Sequence, residues 1–516
     1  MFPYLLIYLI TQLANNILQL ARGSSAAPGE FQAPTAEEGR VIPVVFGVVK
    51  ISAPNVVWWG DVRILEVGKQ GVHAYSVGMQ MALCHGPVDA IVQILAAETK
   101  DVPFDPDVVT SGGDEDYIRL YINQTELFGG KKKEGGLGGF IQFYRGIATQ
   151  QPSAYLAEQL GTTPPAYRGL CHAVLVGEAQ DIPNLALDGG LVRGFYVGTS
   201  NYPKPLAFVV RRLPDPFGLP ALKNPDGQAN PAFVIAELLT NPIWGKGTPI
   251  EKLDAGNFAA AAETLFDEGF GISFQIDNDT EVDAIVLRIL EHIDGALYED
   301  PSTGLYNLKL IRDDYDPETI LEITDALSGP PEFGRPSWDS TLNEVKIRYT
   351  DSDFREAIAQ AQDSANFKTR GELASATFDF PFIRNKELAA KVAMRILKSH
   401  CWPLAALRIA VNRKGWPLRI GSPFRFTWNP WGLSGAIFRV TAIDFGSLEN
   451  GEIEVHAVED VFAVAHTAFS APPASEFEEP PIVDLTTAYA VVTRGFLFSR
   501  SFVVTGGYNP EGESGI

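Results

Sequence analysis

Reactive and cross-linking residues are scarce in this chain, which has three cysteines and four methionines among 516 residues. So few cysteines exclude a disulfide scaffold and suit a chain that folds in a reducing cytoplasm. The sequence also lacks the His-Glu-x-x-His, Gly-x-Ser-x-Gly and phosphate-loop motifs of common hydrolases and nucleotide-binding enzymes. We therefore predict a protein that is not an enzyme and binds no cofactor.

Basic residues are outnumbered. The chain has 41 lysines and arginines and 63 aspartates and glutamates, which gives a formal charge of −22. A protein that binds the phosphates of a nucleic acid needs an excess of basic residues. The composition therefore argues against specific nucleic-acid binding. The simplest role of such a charge is solubility.

Each cysteine stands beside a histidine, in the pairs Cys84-His85, Cys171-His172 and His400-Cys401. Such pairs suggest a metal site. Neighbouring residues on a strand point to opposite faces, however, and the Cys-x-x-Cys spacing of common metal sites is absent. The pattern favours buried thiols in packed strands, with a metal site as the alternative.

Residues 2–20 are strongly apolar but do not have the form of a signal peptide, because the first basic residue, Arg22, follows the apolar run. Polar residues also interrupt the run, so it is a poor membrane span. Apolar residues recur at spacings of four and three, which predicts a helix with a coiled-coil seam. The seam consists of Leu6, Ile10, Leu13, Ile17 and Leu20. A helix with so broad an apolar face must bury it by self-association, or alternatively in a membrane.

The chain is too long for one ordinary hydrophobic core. Its pattern predicts an α+β fold that is predominantly β. The predicted segments are an N-terminal apolar helix at 1–22, a linker at 23–41, a β-rich domain at 42–222 with a loop insertion at 101–139, a helix-plus-hairpin domain at 223–330, a β-barrel-like domain with one helix at 331–465, and an extended C-terminal arm at 466–516.

Helix caps and apolar spacing place the helices more closely. They are predicted at 230–239, 257–268, 282–293 and 385–398. A hairpin is expected at 296–311, and the short strands between 407 and 458 are typical of a sheet that closes on itself.

Seven segments of the body carry a more specific signal when they are taken in order. They are Ile42–Asp61, Tyr75–Ile91, Pro165–Leu170, Asn230–Gly247, Gly269–Phe274, Leu305–Tyr315 and Leu342–Tyr349. In this order they resemble the baseplate hub, or tail tip, proteins of long-tailed bacteriophages. The resemblance extends over residues 42–462, which is most of the chain.

The resemblance implies a homotrimer with tail-tube-like β-barrel modules and helical insertions. Two such modules from each of three chains would match six tube subunits. A hub of this kind closes the tail tube, adapts sixfold to threefold symmetry and gates DNA ejection. The N-terminal helices would then form a three-helix bundle on the tail axis. An acidic wall of the channel would let DNA pass without binding to it.

The expected partners follow from the same resemblance. They are the distal tail protein and tail tube, the tape-measure protein in the lumen, other baseplate and receptor-binding fibre proteins, and DNA in transit. The expected location is the distal tip of the virion tail, after assembly in the host cytoplasm. Two alternatives remain: a tail-associated cell-wall-degrading enzyme, and the hub of a contractile injection spike.

Overall fold

The computed structural model describes residues 40–462, apart from short gaps at 68–71, 112–113, 131–132, 178–184, 188–189, 193, 279, 325, 327–330 and 448–450. The predicted N-terminal helix with its seam of Leu6, Ile10, Leu13, Ile17 and Leu20, nearly all of the linker, and the C-terminal arm lie outside the described residues. No helix within these residues combines the length and apolarity needed to cross a membrane. The fold is predominantly β, as predicted.

The first part of the chain consists of antiparallel strands and one short helix, α1 (Ala154–Leu160). The strands are β1 (Val44–Ser52), β2 (Asn55–Val67), β3 (Val72–His85), β4 (Ala90–Ala96), β5 (Lys100–Asp101), β6 (Asp105–Ser111), β7 (Asp114–Gln124), β8 (Leu137–Tyr144), β9 (Leu170–Leu175), β10 (Leu185–Leu187), β11 (Gly190–Val192), β12 (Tyr196–Gly198) and β13 (Leu206–Arg212). β3 pairs with β2 on one side and with β9 and β12 on the other. Because β12 also pairs with β8, β9 and β12 lie end to end in one row of the sheet, between β3 and β8.

The remaining chain alternates helices with strands. In chain order the elements are α2 (Pro231–Thr240), α3 (Ala255–Asp267), β14 (Phe274–Ile276), α4 (Val282–Ile293), β15 (Gly295–Glu299), β16 (Tyr306–Leu310), β17 (Glu322–Ile323), β18 (Glu332–Gly334), β19 (Glu344–Thr350), β20 (Glu356–Gln362), α5 (Ser364–Arg370), β21 (Ser375–Asp379), α6 (Lys386–His400), β22 (Ala406–Val411), β23 (Pro423–Trp428), β24 (Leu433–Asp444) and β25 (Ile453–Glu459). The four predicted helices and the hairpin are confirmed to within two residues at each end.

Helix α5 was not predicted, because it has only seven residues and no apolar stripe. Its start is set by the Asp363 side chain, which accepts hydrogen bonds from the backbone N–H groups of Ala365 and Asn366. Its end is set by Gly371, which has a left-handed φ of 76°. Local capping therefore sets both ends of this helix, and Asn366 ties it to Thr341 and to the carbonyl of Cys401.

The predicted loop insertion at 101–139 is wrong. β6 and β7 form a hairpin there, and β7 continues into the sheet by pairing with β8. Leu120 and Ile122 alternate with polar residues and are fully buried. The acidic and glycine-rich ends of the interval obscure this short alternation, although it follows the period of two expected for a half-buried strand.

Strand β1 is buried on both faces and belongs to two hydrophobic cores. Val45 and Val49 pack into the first core, between the sheets of the β-rich region. Val44 and Phe46 point the other way, into a second core built largely from helices α2, α3, α4 and α6. β1 pairs with β13 along one edge and with β14 along the other, so its hydrogen bonds also link the two regions. A single strand therefore fixes how these cores meet.

The second core extends beyond the predicted boundary at residue 331. Val345 and Ile347 of β19 and Leu388 and Val392 of α6 pack into it, together with the helices before residue 300. The three-stranded sheet β20-β19-β21 therefore belongs with the helical region, not with the strands that follow. A sequence pattern cannot show this assignment, because alternating strand residues have the same appearance whichever core they face.

A third core lies inside a six-stranded sheet in the order β17-β23-β24-β25-β22-β18. This sheet is open by hydrogen bonding, because β17 pairs only with β23 and β18 only with β22 among the described strands. The sheet is nevertheless curled, since the ring of Phe333 on β18 lies 5.3 Å from that of Trp431, which follows β23. The expectation of a closed barrel is thus replaced by a curled, open sheet.

Gly47 in β1 provides a test of this packing. Its φ is 72°, and a Cβ placed there would lie 2.9 Å from Ser273 Cα and still closer to Ser273 Oγ. We expect Gly47→Ala to lower the free energy of unfolding by about 3 kcal/mol, through backbone strain and overpacking together. Urea unfolding curves measure this change.

The matched control is Gly161→Ala. Gly161 has a similar φ of 65°, but a Cβ added at this position would have no neighbour within 4 Å. Backbone strain alone predicts a loss of about 1 kcal/mol at this position. Equal losses for the two variants would show that β1 is not tightly packed against the neighbouring strand.

Candidate functional site at the junctions between the cores

Arg212, at the end of β13, forms the junction between the first and second cores. Its side chain is buried and forms an ion pair with Glu237 of α2. The guanidinium donates to the backbone carbonyl of Val45 at 3.3 Å and lies over the rings of Phe46 and Trp244, 5.3 and 5.5 Å from their centroids. One planar cation thus joins β13, β1 and α2, a role for which lysine lacks the geometry.

A second contact holds the chain as it leaves β13. The Asp89 carboxylate accepts a hydrogen bond from the backbone N–H of Leu213 at 2.6 Å and one from Lys223 Nζ at 2.8 Å. Asp89, Arg212 and Arg145 border a cavity of about 330 Å³. Arg145 is itself paired with Glu115 at 2.9 Å. The charges at this cavity are therefore largely satisfied within the protein.

Arg419, in the third core, anchors that core to the β15–β16 hairpin. It binds the Asp300 carboxylate through two hydrogen bonds, of 3.0 and 3.1 Å. These bonds hold the pKa of Asp300 well below its usual value. Bidentate arginine–carboxylate pairs are among the more directional polar contacts in proteins, so this pair restrains rotation between the two regions.

Arg439 of β24 makes the most deeply buried of these contacts between regions. It binds Asp460 at 2.9 Å, and the two side chains are 8% and 2% exposed. It also donates to the backbone carbonyls of Gly421 and Arg312, both at 3.0 Å. Arg312 in turn forms a two-bond pair with Glu268, which follows α3. A chain of arginines therefore connects the third core to the second.

The cysteine–histidine pairs do not converge on a metal site. No group of three or more histidine, cysteine or acidic side chains that could hold a metal ion occurs in the described part of the chain. The three thiols are free and buried. His172 stacks on Tyr144 with ring centroids 4.5 Å apart, and burial lowers its pKa to about 4. Burial likewise lowers the pKa of His292 to about 3.

An apolar edge strand is the main candidate contact surface for other proteins. β2 pairs with β3 alone among the described strands. Three large apolar side chains on it, Val57, Trp59 and Ile64, are 45%, 44% and 39% exposed. Exposed apolar edges of this length usually accept another chain or are protected by one. Sequence analysis found this strand but could not tell which of its faces would be exposed.

The arginine contacts were missed at the sequence level altogether. Their partners lie far along the chain, as with Arg419 and Asp300, which are 119 residues apart. No periodic pattern marks such a pair. The only available signal is an arginine at a position that is otherwise surrounded by apolar strand residues.

Comparison with known proteins bears on the sequence resemblance. Residues 284–443 match the model of a family described as "Putative phage tail protein". We refer to these residues, which are similar to that family, as the tail module. The tail module runs from α4 to β24, so it includes the three-stranded sheet of the second core, most of the curled sheet, and the Arg419–Asp300 pair. The predicted resemblance to phage tail proteins is confirmed.

Solved structures extend the likeness beyond the tail module. A chain from the virion of a native gene transfer agent particle matches with a TM-score of 0.53 and 16% identity, over 87% of this chain and 92% of its own. A 43 kDa tail protein of prophage MuSo2 from Shewanella oneidensis matches with a TM-score of 0.30 and 15% identity, over 69% of this chain and 99% of its own. A tail protein from Neisseria meningitidis MC58 matches with a TM-score of 0.31 and 14% identity, over 69% and 96%. No curated protein matches the sequence.

At these identities, the first of these structures establishes a likeness of fold over most of the chain. The family match adds a likeness to phage tail proteins over residues 284–443.

The Arg439 contact gives a direct test of how the third core is held. Arg439→Met leaves the Asp460 carboxylate buried without its cation, and we expect the free energy of unfolding to fall by about 3 kcal/mol. Arg408→Met is the control, because Arg408 lies on the same sheet but pairs with Glu332 and Glu454 at the exposed surface. This control should change stability little. Similar urea midpoints for the two variants would contradict the account.

The buried histidines predict a dependence of stability on pH. In the unfolded chain they titrate near pH 6.5, whereas in the folded protein their pKa values are about 4 and 3. The unfolded chain therefore binds more protons in this interval. Stability should fall as the pH drops from about 6.5 to 4, by up to about 1.4 kcal/mol per pH unit for each histidine.

His172→Phe tests this dependence, because it keeps an aromatic ring against Tyr144 and removes the titrating group. Unfolding midpoints measured between about pH 7 and 4.5 should then vary less steeply than in the unmodified protein. His456→Phe is the matched change at an exposed position on β25, where the ring pairs with Glu454 at the surface and is not buried. An unchanged slope in His172→Phe would mean that this ring does not titrate with folding.

Proposed function

We propose that the chain is the hub of a phage-like tail: a homotrimer at the distal tip that closes the tail tube and gates DNA ejection. The observation that carries this proposal is the shared fold with a chain of the gene transfer agent virion, which extends over 87% of this chain. The tail module at 284–443 supports it independently. In this proposal the chain assembles in the host cytoplasm and is not an enzyme.

The architecture suits an adaptor between two symmetries. The chain has two antiparallel β regions, namely the sheets around the first core and the curled six-stranded sheet around the third core. Three copies would supply six such regions, which matches a sixfold tube above, while the assembly as a whole keeps threefold symmetry below. The helical second core lies between the two regions in the sequence and contacts both.

The junctions restrict how such a hub could open. β1 shares its faces between two cores, and arginine contacts join the third core to the second. Movement within one chain would have to break buried ion pairs. We therefore place the opening step between chains, as a switch between closed and open arrangements that receptor-engaged fibre proteins bias.

The proposed partners are the distal tail protein and tail tube above, the tape-measure protein in the lumen, and other baseplate proteins around the rim. DNA would pass in transit only, past walls that a formal charge of −22 makes unattractive to phosphate. Transient membrane contact would involve the N-terminal helix. The exposed apolar edge of β2 is a further candidate contact for a neighbouring chain.

Two alternatives give different results in simple assays. A tail-associated cell-wall-degrading enzyme would clear a suspension of peptidoglycan when the purified full-length chain is added, and a hub would not. The hub of a contractile injection spike would occur on particles that carry a sheath.

Trimer formation can be tested at the predicted N-terminal seam. We expect the full-length protein to be a trimer by light scattering, and the double variant Ile10→Asp, Leu13→Asp to lose the trimer, because two carboxylates per chain would be buried in the bundle. The control adds the same charge off the seam, with Thr11→Asp and Asn15→Asp.

Both outcomes are informative about the assembly. A control variant that stays trimeric, alongside a dissociated seam variant, would support the bundle. A seam variant as trimeric as the control would locate the trimer contacts elsewhere. An unmodified protein that is monomeric at all accessible concentrations would contradict the proposed trimer.

A further inference from the structure

Two of the three cysteines lie directly opposite each other in the first core. Cys84 of β3 and Cys171 of β9 are partners in the antiparallel register, and both are fully buried. The third cysteine, Cys401, follows α6 and belongs to the second core. The fold therefore brings together two thiols that are 87 positions apart in sequence, from 84 to 171.

The placement of this pair suits a covalent bond. Opposed residues of antiparallel strands have Cα atoms about 4.5–5.5 Å apart, which falls within the range that a disulfide spans. The register shifts between Ala82 and Cys84, so the backbone beside the pair is already irregular. The two thiols are close enough to interact, since burial and then a hydrogen bond with Cys84 raise the pKa of Cys171 well above its usual value.

We propose that Cys84 and Cys171 form an intramolecular disulfide when the protein leaves the reducing cytoplasm and meets peroxide. One sulfur attacks a peroxide oxygen, the O–O bond breaks, and one water leaves with the thiol proton. The other sulfur then attacks the resulting sulfenic acid, the S–O bond breaks, and a second water leaves with the second proton. Two thiols and one hydrogen peroxide thus become one disulfide and two waters.

The chain that follows Cys84 borders a cavity. The cavity of about 330 Å³ is bordered by Pro87 and Val88, which closely follow Cys84 in sequence, and by Arg145. The charge of Arg145 also acts on Cys171, where it favours the thiolate. Burial opposes the thiolate more strongly, so the reaction is slow and the bond accumulates after assembly rather than during it.

The bond would join β3 to its neighbour β9 in the first β region. Closing a loop of this length restricts the unfolded chain and so favours the folded state. In a tail, this would make the hub harder to unfold outside the host than inside it. That timing rests on the proposed function, whereas the bond itself does not.

The test uses the purified full-length protein, reduced and then exposed to hydrogen peroxide. Titration of free thiols in denaturant should fall from three to one per chain. Peptide mapping without reductant should show one linked pair that contains Cys84 and Cys171. The control Cys401→Ser should fall from two thiols to none, and Cys84→Ser should keep two.

Other results would overturn the proposal. They include three persistent free thiols, a linkage that involves Cys401, and sulfinic or sulfonic acid at position 84 or 171 without a linked peptide. If Cys84→Ser does not fold, the peptide map of the unmodified protein decides the question alone. None of these outcomes depends on whether the protein is a tail hub, so the two proposals can fail separately.

Discussion

Burial of β1 on both faces determines how the first two cores meet. Val45 and Val49 on one face, and Val44 and Phe46 on the other, commit a single strand to both cores. Gly47 allows β1 to approach the neighbouring strand closely, and the backbone N–H of Val48 donates to Ser273 Oγ at 2.8 Å. Because β1 contributes side chains to both cores, neither core can change its packing without moving this strand. The two regions therefore behave as one unit.

The arginine contacts extend this unit to the third core. Buried cations are unfavourable unless they are paired, and Arg212, Arg419 and Arg439 each contact several partners at a junction, although the Nε atoms of Arg212 and Arg439 have no hydrogen-bond partner. Such contacts fix the relative positions of the cores more than they add to the net stability of the fold. For a protein at the end of a tail, rigid geometry within each chain means that mechanical change is concentrated at contacts between chains.

Sequence patterns predicted the elements well and their grouping poorly. Helices with clear caps, such as the one that begins after Asn230, were located to within two residues. The β19–β21 sheet was assigned to the wrong region, because alternation shows that a strand has a buried face but not which core covers it. The strands at 105–124 were missed because charged and glycine-rich residues at the two ends of the interval 101–139 obscure their alternating pattern. The arginine junctions had no local signal, and two of them, Arg419 with Asp300 and Arg439 with the carbonyl of Arg312, join residues more than a hundred positions apart.

The central claim is the position of this protein in a tail. Immunogold electron microscopy of particles from the source, with antibodies against residues 42–462, tests it most directly. The account predicts label at the end of the tail distal to the head, and threefold density there when the tips are averaged. Label along the tube or on the head, or a complete absence of tailed particles, would contradict the account.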